Sequence, residues 1–115
     1  MEIKRGGIYL AKLGKRVGSV QFGVRPIIIV GNDYSCQYST VLLSVPLTSK
    51  QKKFLPTHYN LDSNKYPFLW KELNTVLTEQ IMPVEKRRLL QYLGDVEIYD
   101  MINIGNRMRL AIGVY

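Results

Sequence analysis

The sequence contains few of the residues that build disulfides and metal centres. Among its 115 residues it has one cysteine, Cys36, and one histidine, His58. A single cysteine cannot form an internal disulfide, and both residues fall in loop-like sequence, which argues against a catalytic thiol. The carboxylates Asp95 and Glu97 have ligand-like spacing, but we assign them to the start of a helix. We therefore expect no bound metal and no other cofactor.

Long apolar runs are also lacking. The chain has no stretch of about 18 apolar residues, the length that predicts a membrane-spanning helix, and no charged-then-apolar leader. We expect a soluble, cytoplasmic protein that makes no membrane contact. Folding a chain of 115 residues hides roughly two-thirds of its unfolded surface, which is enough for one core. We expect a single domain over residues 1–115.

Acidic residues are scarce in the first half of the chain. Residues 1–60 carry nine lysines and arginines against only Glu2 and Asp33, whereas residues 61–115 carry seven residues of each sign. The whole net charge of +7 therefore lies in the first half, chiefly in basic groups at 12–16 and 50–53. This distribution favours binding to a polyanion or an acidic protein segment. The alternative is that basic loops only keep a small domain soluble.

Short β-prone runs separated by turn residues dominate the chain up to residue 81. The predicted strands cover residues 8–11, 26–30, 40–47, 57–61 and 75–81. The segment 13–23 has three glycines and no periodicity, which predicts a loop, and Gly31, Asn32 and Asp33 predict a turn. Pro46 indicates an edge strand or a bulge.

The end of the chain has helical periodicity. A turn at 85–88 and another strand precede it. The apolar stripe that predicts a helix over residues 97–110 consists of Ile98, Met101, Ile102, Gly105 and Met108. We expect Asp95 to cap this helix and Asp100 to lie on its outer face. Five or six short strands and one long C-terminal helix make a mainly β protein with a small barrel-like sheet.

Ordered motifs along the whole chain resemble one family. The blocks are Lys4-Arg5-Gly6, Ile8-Tyr9, Gly18-Ser19, Gly23-Val24-Arg25-Pro26, Asn32-Asp33, Val45-Pro46-Leu47-Thr48-Ser49, Leu55-Pro56-Thr57-His58, Leu77-Thr78-Glu79-Gln80-Ile81, Arg88-Leu89 and Gly94. Their order and spacing resemble the MazF/PemK-type toxins of bacterial type II toxin–antitoxin systems. The resemblance implies an SH3-like barrel, a homodimer, metal-independent and sequence-specific cleavage of single-stranded RNA, and inhibition by a cognate acidic antitoxin.

The resemblance makes Arg25 and Thr48 the expected catalytic residues. The 2′-hydroxyl of the RNA would attack the phosphorus and leave a 2′,3′-cyclic phosphate and a 5′-hydroxyl. Pro26 favours an extended backbone at Arg25, and a guanidinium offers a planar fork of donors to the charged phosphate oxygens. The alternative for Arg25 is an ion pair with a local acid such as Glu79.

Further residues are expected to contact RNA. They are Ser19, Gln21, Phe22, Lys50, Lys52, Lys53, Asn74, Glu79 and Gln80. His58 matches a structural position rather than an acid–base group. Tyr66 and Trp70 lie in a polar insertion at about 62–71 and are the aromatic residues most expected to be exposed.

The sequence departs from the family pattern beside Arg25. Position 20 is Val where an acid is common, and position 22 is Phe where glycine is usual. The first change removes a candidate general base, and the second could provide an apolar platform for a base or reshape the loop. The missing acid leaves open a noncatalytic RNA-binding module. A separate alternative is a non-enzymatic poison of DNA gyrase, because related toxins with the same barrel act on that enzyme.

Overall fold

The computed structural model describes residues 2–50, 53–69 and 72–115, and these form a mainly antiparallel β structure with two α-helices. The strands are β1 (Gly7–Lys12), β2 (Val24–Ile29), β3 (Val41–Thr48), β4 (His58–Leu61), β5 (Asn74–Leu77), β6 (Met82–Glu85) and β7 (Leu89–Asp95). The helices are α1 (Asp33–Tyr38) and α2 (Ile98–Ala111), and short 3-10 turns cover Pro67–Leu69, Thr78–Gln80 and Lys86–Arg88. No helix in the described ranges is long and apolar enough to cross a membrane.

Strand β3 organises the sheet. The strand order is β4-β5-β3-β2-β1-β7, and β6 pairs with β3 as well. The first half of β3, from Val41 to Ser44, pairs with β6, whereas Leu47 and Thr48 pair with β5. Because β3 changes partner, the sheet bends into an SH3-like barrel that stays open between β4 and β7 in the described part of the chain. The predicted mainly β class with a C-terminal helix is confirmed.

The middle of the sheet is buried on both faces, which explains its runs of consecutive apolar residues. Ile8 and Ile28 belong to a core cluster that includes Ile104 of α2. Their chain neighbours Tyr9 and Ile27 point the other way, into a second cluster that includes Cys36 of α1. Successive side chains of a strand alternate between faces, so a run such as Ile27–Ile29 needs cover on both. This double burial anchors β2 from Ile27 onwards, two residues after Arg25.

The orientation of α2 differs from the prediction. Ile98 and Ile102 are 80% and 60% exposed, whereas Asp100 is only 4% exposed. The Asp100 carboxylate accepts hydrogen bonds from the Tyr59 hydroxyl, at 2.6 Å, and from the Tyr66 hydroxyl. Buried polar groups are stable only when they are paired. Two tyrosines outside the helix therefore hold Asp100 inward, on the same side of α2 as the buried Ile104.

Tyr66 also fixes the beginning of α2. Its hydroxyl oxygen accepts a hydrogen bond at 3.0 Å from the backbone N–H of Glu97, the residue that caps the helix. Asp95 is the last residue of β7, so its predicted capping role is wrong. Burial, and then the hydrogen bonds to Asp100, raise the pKa of both Tyr59 and Tyr66 above its usual value. Tyr66 is 1% exposed, which contradicts the predicted exposure, and Trp70 lies outside the described residues.

Local elements follow the predictions in part. The helix predicted at 97–110 and the turn and strand after residue 85 are confirmed. The turn predicted at Gly31–Asp33 instead begins α1, because the Asn32 side chain accepts from the N–H of Ser35 at 2.8 Å.

Two predictions about strands are corrected. The strand predicted at 75–81 breaks after Leu77 into a 3-10 turn, and β6 follows it. Pro46 lies in the central strand rather than at an edge, at the point between the stretches of β3 that pair with β6 and β5. A proline is tolerated there because that side of the ladder is already interrupted.

Candidate active site

A pocket of about 280 Å³ lies where β2 begins and β3 ends. Strands β2 and β3 are antiparallel, with Ile27 opposite Pro46, and continuing this register brings Arg25 level with Thr48. On the far side of β3, Thr48 pairs with Thr75 of β5, which places Asn74 at the same end. The pocket is lined by the polar residues Arg25, Thr48, Ser49 and Asn74 and by the apolar residues Leu10, Val24, Pro26, Leu47, Leu69 and Leu93.

Arg25 is the basic residue among those that line this pocket. Its Nε donates to the backbone carbonyl of Phe22 at 3.0 Å, and its guanidinium carbon lies 5.5 Å from the centre of the Phe22 ring. None of the acidic side chains in the described ranges forms an ion pair with Arg25. The hydrogen bond to the Phe22 carbonyl fixes Nε of the guanidinium, so the two terminal nitrogens are left to bind a ligand.

Glu79, the alternative partner of Arg25, is engaged elsewhere. Its carboxylate accepts from His58 Nε2 and from the Thr57 hydroxyl, each at 3.0 Å. His58 is 3% exposed, and its Nδ1 accepts from the N–H of Leu55 at 3.2 Å. One ring nitrogen therefore accepts while the other carries the proton and donates. The alternative of an Arg25–Glu79 ion pair is therefore wrong, and His58 anchors the start of β4 inside the fold.

Thr48 contributes a hydroxyl to the pocket. It is 2% exposed, and its Oγ1 accepts from the backbone N–H of Lys50 at 3.2 Å. This bond uses the oxygen as an acceptor, so the hydroxyl proton is available for a second, negatively charged acceptor. Asn74 is also buried and lines the same pocket.

A glutamine clamp holds the loop that precedes Arg25. Gln80 accepts from the backbone N–H of Gln21 at 2.9 Å through Oε1, and its Nε2 donates to the carbonyl of Ser19 at 3.1 Å. Gln21 is buried, and its own Oε1 has no hydrogen-bond partner in the described part of the chain. The three polar residues predicted here thus lie together, beside the pocket rather than in its lining.

The predicted basic contacts that the structure describes are exposed. Lys50 follows the pocket residue Ser49 and is exposed, and Lys53 is exposed in the segment before β4. Lys52 lies outside the described residues. The residue that sequence reasoning did not single out is Arg16, whose guanidinium carbon lies 5.5 Å from the centre of the Phe22 ring. The sequence indicated Arg16 only as one of the basic residues at positions 12–16.

Acidic residues, cysteine and histidine do not gather in this region. In the described ranges, no three side chains of His, Cys, Asp or Glu lie close enough together to hold a metal ion. The residues that line the pocket include no carboxylate. The pocket is therefore suited to a negatively charged ligand, which Arg25 and Thr48 would hold directly.

Comparisons with known proteins place the chain in a family. Residues 4–112 match the family described as PemK-like, MazF-like toxin of type II toxin-antitoxin system. The chain is 35% identical to Endoribonuclease EndoA of Bacillus subtilis (strain 168), over 97% of each chain. It is 36% identical to Endoribonuclease MazF of Staphylococcus epidermidis, over 97% of this chain and 92% of the relative.

A solved structure agrees at the level of the fold. An endoribonuclease in complex with its cognate antitoxin from Mycobacterial species superposes with a TM-score of 0.77, over 99% of this chain and 96% of that one, at 24% identity. The family match covers nearly the whole sequence, and the relatives align almost end to end. The chain therefore belongs to the PemK-like, MazF-like toxins of type II toxin-antitoxin systems.

Proposed function

We propose that this chain is an endoribonuclease toxin that cleaves single-stranded RNA, such as mRNA, in the cytoplasm. The observation that carries the proposal is the placement of Arg25 beside Thr48 in one pocket, with no acid paired to Arg25 in the described ranges. Two relatives of about this length bear the name endoribonuclease, which supports the same activity.

The pocket suits a cleavage in which the substrate supplies the nucleophile. The 2′-oxygen of the ribose attacks phosphorus and loses its proton, the bond to the 5′-oxygen breaks, and that oxygen takes up a proton. The products are a 2′,3′-cyclic phosphate and a 5′-hydroxyl. Negative charge accumulates on the non-bridging oxygens in the transition state, where fixed donors have their largest effect.

Arg25 and Thr48 both stabilise that charge, through different contacts. The terminal nitrogens of Arg25 donate to the phosphate oxygens, and the Thr48 hydroxyl donates to a further oxygen or orients the 2′-hydroxyl. The apolar lining residues Leu47, Leu69 and Leu93 lower the polarity around these bonds, which strengthens them. Position 20 is Val in place of an acid, and the pocket lining has no carboxylate. The pocket therefore supplies charge stabilisation and not a carboxylate base.

The surroundings of the pocket would bind the rest of the strand. The proposed RNA contacts in the described ranges are Ser19, Gln21, Phe22, Lys50, Lys53, Asn74, Glu79 and Gln80. The net charge of +7, all of it from residues 1–60, also suits an acidic antitoxin that covers the same surface. A related structure holds its cognate antitoxin, which supports this partner. We propose that the active toxin is a homodimer.

Cleavage should not depend on a metal ion. We expect the purified protein to cut single-stranded RNA at the same rate with and without EDTA, and to leave 2′,3′-cyclic phosphate and 5′-hydroxyl ends. Primer extension locates the cut, and selective ligation of the ends identifies their chemistry. Activity that disappears in EDTA and returns with a divalent cation contradicts the mechanism. Saturating RNA binding without product contradicts the enzyme, and DNA damage with intact RNA indicates a gyrase poison.

Loss of the Thr48 hydroxyl should slow the reaction. Thr48→Val keeps the shape of a side chain that is 2% exposed and removes only its hydroxyl. Because one transition-state donor is lost, we expect kcat to fall roughly 100-fold with KM little changed. Thr48→Ser retains the hydroxyl and is expected to retain most of the rate. Steady-state kinetics of both variants tests this. Equal losses in the two variants would indicate a packing role for Thr48 instead.

A further inference from the structure

Two guanidinium groups lie over one aromatic ring at the edge of the pocket. The guanidinium carbons of Arg16 and Arg25 are each 5.5 Å from the centre of the Phe22 ring. They are therefore at most twice that distance, about 11 Å, from each other. A cation within about 6 Å of a ring centre is attracted by the negative face of the ring. Phe22 thus connects an exposed loop arginine to the pocket arginine.

Arg16 is available to a ligand. It is exposed, and it makes no hydrogen bond or ion pair with other residues of the described ranges. The sequence has no acidic residue from position 3 to position 32, so Arg16 has no acid near it along the chain. Its five N–H donors therefore have no acceptor in the described ranges, next to a site that we assign to a phosphate.

The arrangement is pre-organised for two neighbouring phosphates. Two like charges repel each other, and the repulsion is relieved when each of them meets an anion. The ring of Phe22 is half-buried, and the Phe22 carbonyl is the group that accepts from Arg25 Nε at 3.0 Å. The same residue thus restrains both guanidinium groups, which lowers the entropy lost when a strand binds.

Resting on the proposed function, we propose that Arg16 binds the phosphodiester next to the one that Arg25 holds, and that Phe22 sets the position of Arg16. In this role Arg16 is a binding residue, whereas Arg25 acts on the reacting phosphate. The ligand is the sugar–phosphate backbone of the RNA strand, so the contact adds affinity without selecting a base.

Kinetics and salt dependence of binding test the role of Arg16. We expect Arg16→Ala to raise KM about tenfold and to leave kcat within about twofold, because a ground-state contact outside the reacting group is lost. The affinity for an oligonucleotide made uncleavable by 2′-deoxy substitution should depend less on salt, with a log–log slope smaller by about 0.7, the value for one contact to a single strand.

Lys15→Ala is the matched control. Lys15 is the exposed neighbour of Arg16, and its removal subtracts the same charge. We expect a smaller rise in KM and an unchanged salt slope. Equal effects in the two variants would reduce the role of Arg16 to net charge and overturn the inference.

Variants of Phe22 test its part in the arrangement. Phe22→Leu keeps apolar volume but removes the ring, so adding Arg16→Ala to it should raise KM no further. Phe22→Tyr keeps a ring, so adding Arg16→Ala to that variant should still raise KM. Losses that add up in the Phe22→Leu double variant contradict a coupled pair. Thermal unfolding verifies that the Phe22 variants fold, and the Arg16 and Lys15 results decide the matter independently.

The outcomes separate this inference from the function on which it rests. If the unchanged protein neither binds nor cleaves RNA, the proposed function fails. If it cleaves RNA but Arg16→Ala has the same KM and salt slope, only the role of Arg16 fails.

Discussion

Arg25→Ala is expected to reduce RNA cleavage at least about a thousandfold, which corresponds to about 4 kcal/mol of lost transition-state stabilisation. Arg25 is the cationic side chain that lines the pocket, and its Nε is already fixed by the Phe22 carbonyl at 3.0 Å. A guanidinium held in this way needs no reorganisation when charge develops on the phosphate. Single-turnover cleavage in EDTA, with enzyme in excess, measures the chemical step directly.

The same variant should still bind RNA. The exposed cations Arg16, Lys50 and Lys53 remain, so we expect the dissociation constant for the uncleavable oligonucleotide to rise no more than about tenfold. Arg25→Lys keeps the charge but loses the planar fork, and only a small part of the rate should return. Arg87→Ala is the matched control, because Arg87 is exposed and pairs with Glu85 away from the pocket. Cleavage by Arg25→Ala within tenfold of the normal rate would remove Arg25 from the mechanism.

Much of the scaffold behind Arg25 could be predicted from the sequence. The run 26–30 is apolar at every position, which indicates a strand buried on both faces, and the structure buries Ile27, Ile28 and Ile29 completely. The helix at the end of the chain was visible from its periodicity. The approach of Arg25 to Thr48 was not, because it depends on the register between β2 and β3, which local sequence does not encode. Only the family resemblance linked these two residues beforehand.

Other features depend on partners that are distant in the sequence. The periodicity of α2 placed Asp100 outside, but its partners Tyr59 and Tyr66 lie 41 and 34 residues away. A helix prediction from hydrophobic periodicity places a carboxylate on the exposed face, because the sequence does not show which distant residues donate hydrogen bonds to it. Arg16 lies in a loop without periodicity, and its relation to Phe22 became visible only when the loop was folded. The sequence thus predicted most of the strands and the C-terminal helix, but it predicted the polar contacts between the elements poorly.

Asp100→Ala is expected to lower the free energy of unfolding by about 3 kcal/mol or more. The change leaves the hydroxyls of Tyr59 and Tyr66 without their acceptor, and an unsatisfied buried polar group costs about 1–3 kcal/mol. Lys65 also loses a carboxylate 3.7 Å from its ammonium group. Glu97→Gln is the control, because Glu97 is largely exposed and its pair with Lys65 should contribute less than about 1 kcal/mol. Urea unfolding measures the change in the free energy of unfolding for both variants, provided that their m-values are unchanged.

A tyrosine titration distinguishes loss of this network from a general loosening of the fold. In the unchanged protein, burial and the bonds to Asp100 raise the pKa of Tyr59 and Tyr66, so the folded state keeps protons that the unfolded state releases near pH 10. The unfolded state then binds fewer protons, and stability must fall as the pH rises through this range. In Asp100→Ala the two pKa values should move back toward 10, and the fall in stability should become shallower. Tyrosine absorbance follows the ionisation, and an unchanged titration in the folded variant would show that Asp100 does not hold these hydroxyls.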